Sequence, residues 1–380
     1  MKKIVLKINA WLHLWLGLIS GIVVVILSIT GCALVFEEEI KYSWLYSASP
    51  DHPQQTELLA PSVVYQKIKN IYPDKELESF WYYGHRKPIK IGINHGDTLM
   101  YVNPYNAQII AEVDHEDFFH FMDEGHRHLW MPTEIGRPIV GWGTLLFFVI
   151  TLSGLILWWP KRWSKRMVRQ SFTINWKTKW KRINYDLHNV LGFYSLILAL
   201  VMAFTAMMMS FPWLRKSVID LAGGYPRSPR KTEVVQPETY RQKINALATA
   251  DSIWYKVRTE IALKNKDAVI IHIPEEDEDV VYACTDMQDG SWRDLRFDRY
   301  TLELLPTSQQ PIGEAKTAEW ISRANFGLHT GYIGGLTTKI LYFVASLICA
   351  TLPVTGFYVW WGKRKKKNPK KTTKKKLVAI

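Results

Sequence analysis

Residues 12–36 read LHLWLGLISGIVVVILSITGCALVF, twenty-five residues without a charge. That is enough apolar length to cross a bilayer as one helix. Lysines precede the stretch, and Glu37, Glu38 and Glu39 follow it. His13 stands near its inner end. An ionisable side chain at the edge of a membrane segment is costly and marks a functional position by default. The apolar core is longer than a signal peptide's, and acids follow directly, so the helix reads as an uncleaved anchor despite the weak cleavage-like Ser47-Ala48-Ser49.

Three later stretches resemble this one, so four membrane helices are expected: 1–36, 136–160, 184–213 and 333–361. They fall into a repeat. His13-Leu14-Trp15-Leu16-Gly17 in the first helix matches His188-Asn189-Val190-Leu191-Gly192 in the third. Ser153-Gly154 with Trp158-Trp159-Pro160-Lys161-Arg162 in the second matches Thr355-Gly356 with Trp360-Trp361-Gly362-Lys363-Arg364 in the fourth. The chain is a duplicated unit of helix, polar domain, helix, with parallel repeats.

The net charge of +13 is unevenly placed. Twenty-two of the 48 basic residues lie in residues 2–7, 161–182 and 363–376, which contain no acid. The remaining chain is net negative, which argues against a nucleic-acid partner. Basic blocks beside apolar helices are the positive-inside pattern. They assign both termini, the loop 161–183 and the tail 362–380 to the cytoplasm of a bacterial inner membrane. Segments 37–135 and 214–332 then lie in the periplasm. Many of the 17 tryptophans sit at the ends of apolar runs, where interfacial tryptophan belongs. Cys32, Cys284 and Cys349 have neither metal nor disulfide spacing and read as packed thiols.

The two polar segments echo each other. In the first, Pro61–Ile71 has helical spacing, and Phe80–Tyr83, Ile89–Ile93 and Leu99–Val102 have strand character. In the second, Tyr240–Ala250 reads as a helix, and Ala268–Ile273, Val280–Cys284 and Asp294–Phe297 as strands. Tyr101-Val102-Asn103-Pro104-Tyr105 matches Arg296-Phe297-Asp298-Arg299-Tyr300. The expected fold is a four-helix α-helical membrane bundle with two small α+β periplasmic domains.

Four histidine positions stand at membrane-helix ends. His13 and His188 lie at the cytoplasmic level. The pair His126/His128 and His329 lie at the outer level. Two imidazoles facing each other across a bundle are the ligand set of a six-coordinate b-type haem. Gly17 and Gly192, each four residues past a histidine, leave that helix face small enough for a macrocycle. The alternative is that each histidine anchors its helix at the headgroups. Covalent c-type attachment is excluded, since no CxxCH occurs.

Weaker signals remain. His120, Glu124 and His128 share one helix face and form a candidate outer iron or copper site, against the reading of a solvated acidic linker. His115-Glu116 to His120 is HExxxH, one residue too long for a zinc protease. Met207-Met208-Met209 is either a soft ligand or packing filler. There is no Walker motif or G-x-G-x-x-G, hence no evident site for ATP, NAD(P)H or flavin.

Together these residues resemble the PepSY-associated transmembrane family, many of whose members are described as iron-regulated. The carriers are Leu12-His13 with Gly17 and Thr30-Gly31, and His126-Arg127-His128-Leu129 before Gly136-Arg137. Ser153-Gly154, Trp158-Trp159-Pro160, His188 with Gly192, Leu328-His329-Thr330-Gly331, Thr355-Gly356 and Trp360-Trp361 complete the set. The resemblance covers nearly the whole chain and implies that the outer domains are PepSY-like. It also implies an oxidoreductase: an inner-membrane di-haem reductase of ferric siderophores. Two haem b groups would be held by His13 with His188 and by His126 with His329. The family pattern favours His126, but one extra residue before Gly136 keeps His128 open. The electron donor would be a quinol or a cytoplasmic reductase, and lipid the surrounding partner. The competing expectations are a haem-free protein binding or inhibiting a periplasmic peptidase, and a haem protein serving another acceptor such as copper.

Overall fold

The computed structural model describes residues 2–47, 57–85, 87–93, 98–114, 117–160, 162–224, 245–262, 268–274, 280–287 and 290–364. The chain begins with α1 (Lys2–Leu34), α2 (Glu37–Ser47) and α3 (Pro61–Ile71). Strands β1 (Leu77–Trp81), β2 (Ile89–Ile93), β3 (Thr98–Val102) and β4 (Ile109–Asp114) follow. Next come α4 (Phe118–His128), α5 (Thr133–Trp158), α6 (Lys165–Phe172) and α7 (Trp180–Asp186). A single π-helical turn (Leu187–Leu191) joins α7 to α8 (Gly192–Ser210), and α9 (Pro212–Leu221) follows. Then come α10 (Ala246–Lys256), β5 (Ile270–His272), β6 (Val280–Thr285), β7 (Arg293–Asp298), α11 (Thr317–Thr330) and α12 (Gly335–Arg364). The chain divides into two compact units, one of residues 1–32, 125–207 and 343–380, the other of 33–124 and 208–342.

Four helical stretches are long and apolar enough to cross a membrane: Lys3–Leu34, Thr133–Trp158, Trp180–Ser210 and Tyr332–Gly362. The expected helices are all present with shifted ends. The third stops at Ser210 rather than residue 213, because Pro212 opens α9 and a residue before proline avoids the helical region. The second begins at Thr133, after a break at Leu129 and Trp130, both at positive φ. Close approaches in the helical unit use small residues, as membrane helices do. A Cβ on Gly21 would lie 3.1 Å from Pro353 Cβ, and one on Gly143 would lie 2.9 Å from Val23 Cγ1.

In the second unit the two expected α+β domains do form, but not as separate bodies. Their strands make one antiparallel seven-stranded sheet in the order β4-β3-β2-β1-β5-β6-β7. The junction is β1 with β5, where Ser79, Phe80 and Trp81 pair with His272, Ile271 and Ile270. Each half-sheet would otherwise end in an unpaired edge, and pairing the two removes both edges. One face carries Phe80, Ile91, Met100, Ile271, Ala283 and Leu295, all fully buried in a single core with Val64 and Ile68 of α3 and Ile253 and Trp254 of α10. The two helices are tied by Asp251, whose carboxylate accepts from the Ser62 amide at 2.8 Å and the Ser62 hydroxyl at 2.5 Å. That places a negative charge at the N-terminus of α3, where the helix dipole favours it.

The repeat seen in sequence is also a repeat of turn geometry. Asn103 Oδ1 accepts from the Tyr105 amide, and Asp298 Oδ1 from the Tyr300 amide. Ala107 and Leu302, each four residues further on, both have positive φ. Strand β4 was not expected from sequence. In the second half its place is taken by a single bridge, Phe297 with Leu304. Of the expected helix Tyr240–Ala250, residues 240–244 lie outside the described residues, as do residues 48–49 and the tail beyond 364.

Candidate metal-ligating histidines

His13 projects from α1 and His188 from the π-helical turn ahead of α8. Their ring centroids are 6.3 Å apart, with planes at 85°. A π turn widens the helix and re-aims its side chains, and such turns concentrate at functional positions. These are the two histidines that the sequence places at the same ends of the first and third helices.

The partners of each ring determine its tautomer. His188 Nδ1 lies 3.1 Å from the Leu352 carbonyl oxygen, which can only accept, so Nδ1 carries the proton. It also lies 2.9 Å from Thr355 Oγ1. The Thr355 hydroxyl donates its single proton back to Thr351 and Leu352 carbonyls of its own helix, leaving its oxygen as an acceptor. His13 Nδ1 lies 2.7 Å from Ser153 Oγ, and Ser153 donates to the Ile150 carbonyl. The same logic puts the proton on His13 Nδ1. Both rings therefore keep an unprotonated Nε2, the atom that binds a metal.

Each ring also rests on a glycine. A Cβ on Gly154 would lie 3.2 Å from His13 Cε1, and one on Gly356 would lie 3.1 Å from His188 Cε1. An asparagine four residues before each histidine fastens the same helix pair. Asn9 Nδ2 donates to the Ser153 carbonyl at 3.1 Å, and Asn184 Nδ2 to the Thr355 carbonyl at 3.0 Å. Sequence reasoning missed Asn9, Ser153, Asn184 and Thr355 as positioning residues. The signal was present, since Asn-x-x-x-His-x-x-x-Gly occurs at both 9–17 and 184–192.

His126, near the end of α4, has the same surroundings. Its Nδ1 lies 3.0 Å from Thr30 Oγ1, which donates to the Ile26 and Leu27 carbonyls. A Cβ on Gly31 would lie 3.2 Å from His126 Cε1. Three histidines thus sit over a Ser/Thr-Gly step of another helix, each with Nδ1 against the hydroxyl of that step. His128 is buried, and its carbonyl abuts Gly136 so closely that any side chain there would overlap it. His329 is half-buried in the last turn of α11, which ends at the left-handed Gly331. Thr205, seventeen residues after His188 as Thr30 is after His13, likewise donates to its own helix at Val201 and Met202.

The other expectations fare differently. Among the described residues no three His, Cys, Asp or Glu gather to hold a metal ion. His120, Glu124 and His128 share a face of α4, but eight residues of helix separate the outer two by about 12 Å, too far for one ion. His115 and Glu116 lie outside the described residues. Met207 and Met208 are buried packing, whereas Met209 is largely exposed. The three cysteines are free thiols, and burial pushes the Cys284 thiol up to about 12.

No curated protein matches the chain. The family model described as the PepSY-associated TM region matches residues 10–363, nearly the whole length over which the helices, the joined sheet and the histidine cradles repeat. The chain therefore belongs to the PepSY-associated transmembrane family.

Proposed function

We propose that this membrane protein is a di-haem b-type reductase that moves electrons across the bacterial inner membrane and reduces Fe(III) held by a siderophore. The observation that carries the reading is the pair His13 and His188, 6.3 Å apart with each Nδ1 proton engaged. Two imidazoles bound to one metal at about 2 Å each have centroids about 6 Å apart. Two protein nitrogens are too few for a bare ion, which takes four or more ligands. They suit a macrocycle that brings four of its own. No atom lies within 4 Å of where a Cβ on Gly17 would stand, so no neighbouring side chain closes that helix face at this point.

A bis-histidine b-type haem supplies one-electron transfer without an open coordination site. The chain's own residues do the rest. His13 and His188 would hold the inner group, with Ser153 and Thr355 against their Nδ1 atoms to orient the rings. His126 is assigned to the outer group in preference to His128, because His126 has the Thr30-Gly31 cradle. His329 is assigned as its partner from the repeat. The basic blocks orient the helices with 161–183 and 362–380 cytoplasmic and with 37–135 and 214–332 periplasmic. One electron converts the substrate's Fe(III) to Fe(II), which hard siderophore oxygens hold less well. A quinol or a cytoplasmic reductase is the donor.

The test is a reduced-minus-oxidised visible spectrum of the purified protein with a haem-per-chain assay, followed by reoxidation with ferric siderophore. Two low-spin b haems per chain, reoxidised by the siderophore, are expected. A protein expressed with ample haem that binds none overturns the reading in favour of a peptide-binding membrane protein. Bound haem that siderophore fails to reoxidise removes the substrate assignment alone.

A further inference from the structure

The basic ends of α7 and α12 enclose a groove of ≈ 550 Å³ that the histidine chemistry does not use. Lys179, Lys181 and Arg182 line it together with Tyr185, Tyr358 and Trp361. The aromatic residues are exposed, Tyr358 at 54 % and Trp361 at 46 %. Lys181 is held by an uncharged partner and Arg182 by a carboxylate. Lys181 Nζ donates to the Gly362 carbonyl at 2.5 Å, which carries no net charge. Arg182 Nε lies 2.9 Å from Asp186 Oδ1, and its guanidinium stands over the Tyr185 ring, 5.5 Å from the centroid. Against three cations the groove has one carboxylate partner, the buried Asp186. Lys177 lies two residues before Lys179 in the chain.

We infer that this groove is a binding site for an anionic phospholipid, with the phosphate against Lys179, Lys181 and Arg182 and the acyl chains along Tyr358 and Trp361. Charge complementarity names the occupant. A basic pocket between membrane-helix ends, with an aromatic wall leading toward the apolar part of the helices, matches an anionic headgroup with its chains. An aqueous anion would satisfy only the cations. A lysine-rich tail leaving α12 is repelled by the same charges. The inference is independent of the haem reading.

The experiment uses the full-length, delipidated protein and reads bound lipid by native mass spectrometry and thermal stability after adding phosphatidylglycerol, phosphatidylcholine or inorganic phosphate. Phosphatidylglycerol is expected to bind and raise the melting temperature, with phosphatidylcholine and inorganic phosphate inert. The double variant K179Q/K181Q is expected to lower phosphatidylglycerol retention about tenfold. R166Q/R169Q removes the same charge from α6, outside the groove, and should leave retention unchanged. Equal loss in both variants means a diffuse electrostatic attraction and overturns the site. So does stabilisation by inorganic phosphate alone, or phosphatidylcholine binding as well as phosphatidylglycerol. If K179Q/K181Q unfolds, Y358A, which keeps the cations and removes the wall, is the deciding variant, and unchanged retention there also overturns it.

Discussion

Ser153 and Thr355 each have one hydroxyl proton, and each gives it to a carbonyl one turn back in its own helix. That leaves an oxygen that can only accept, so the facing imidazole must hold its proton on Nδ1. Removing the Ser153 hydroxyl frees the His13 ring to rotate or change tautomer, whereas without the Thr355 hydroxyl His188 Nδ1 keeps the Leu352 carbonyl alone. S153A and T355V are each expected to lower the affinity for the metal group about 10–100-fold, the range for lost partners of a metal-bound histidine. Nitrogen-15 chemical shifts of His13 in metal-free S153A should move toward a tautomer mixture, whereas those of His188 in T355V should hold, because the Leu352 carbonyl still accepts from its Nδ1. Unchanged His13 shifts in S153A would show that Ser153 does not hold that ring. Gly356 allows the closest approach, so G356V should displace His188 and abolish the low-spin spectrum assigned to this pair while leaving the chain folded by circular dichroism.

At the scale of elements, the sheet depends on its junction. Phe80 is fully buried at the β1–β5 seam in the core shared by α3 and α10. Phe80→Ala should destabilise the sheet-bearing unit by about 3–5 kcal/mol, read as an earlier loss of β-sheet signal on heating. Helix α2 is tied down by charge. Lys41 bridges Glu37 and Asp117, each at 2.7 Å. Burial would raise the Asp117 carboxyl, but hydrogen bonds from Lys41 and the His120 amide hold it below its ordinary value. Burial would lower Lys41, and its bonds to Asp117 and Glu37 hold it above. The depressed Asp117 contributes stability above its unfolded pKa of about 3.9 and loses it as pH falls through the folded value. The raised Lys41 contributes below about 10.4 and loses it as pH rises through its folded value. Asp117→Asn should therefore cost up to about 1 kcal/mol at pH 7, a figure set by partial exposure. The cost should vanish in strong acid. A variant whose melting temperature differs from the parent's equally at pH 3 and pH 7 would show that the pair is not the cause.

At the scale of the molecule, the duplication makes each half incomplete. Residues 1–183 contain His13 without His188 and β1 without β5, so an unpaired sheet edge is exposed. This fragment alone is expected to run as oligomers on size exclusion, and a well-behaved monomer would show that the seam is dispensable. The charge distribution makes a separate forecast about orientation. Alkaline phosphatase fused after residue 224 should be active and after residue 163 inactive, with the reverse pattern overturning the positive-inside assignment.

How much was legible beforehand depended on the range of the interaction. The four helices follow from uninterrupted apolar runs, and the ligand candidates from histidines at their ends. Both are local, and the duplication made them visible twice. Strand β4 was missed because Ile109–Asp114 gains its strand character only from pairing with β3. The end of the third helix was misplaced because Pro212 was read as interior. The sequence by itself determined the membrane class and the repeat, since apolar length and spacing need no knowledge of contacts. Only the tertiary structure decided that two α+β units share one sheet, and which oxygen on the facing helix sets each tautomer. Those depend on residues more than a hundred positions apart, whose meeting is a property of packing and leaves no mark on either neighbourhood.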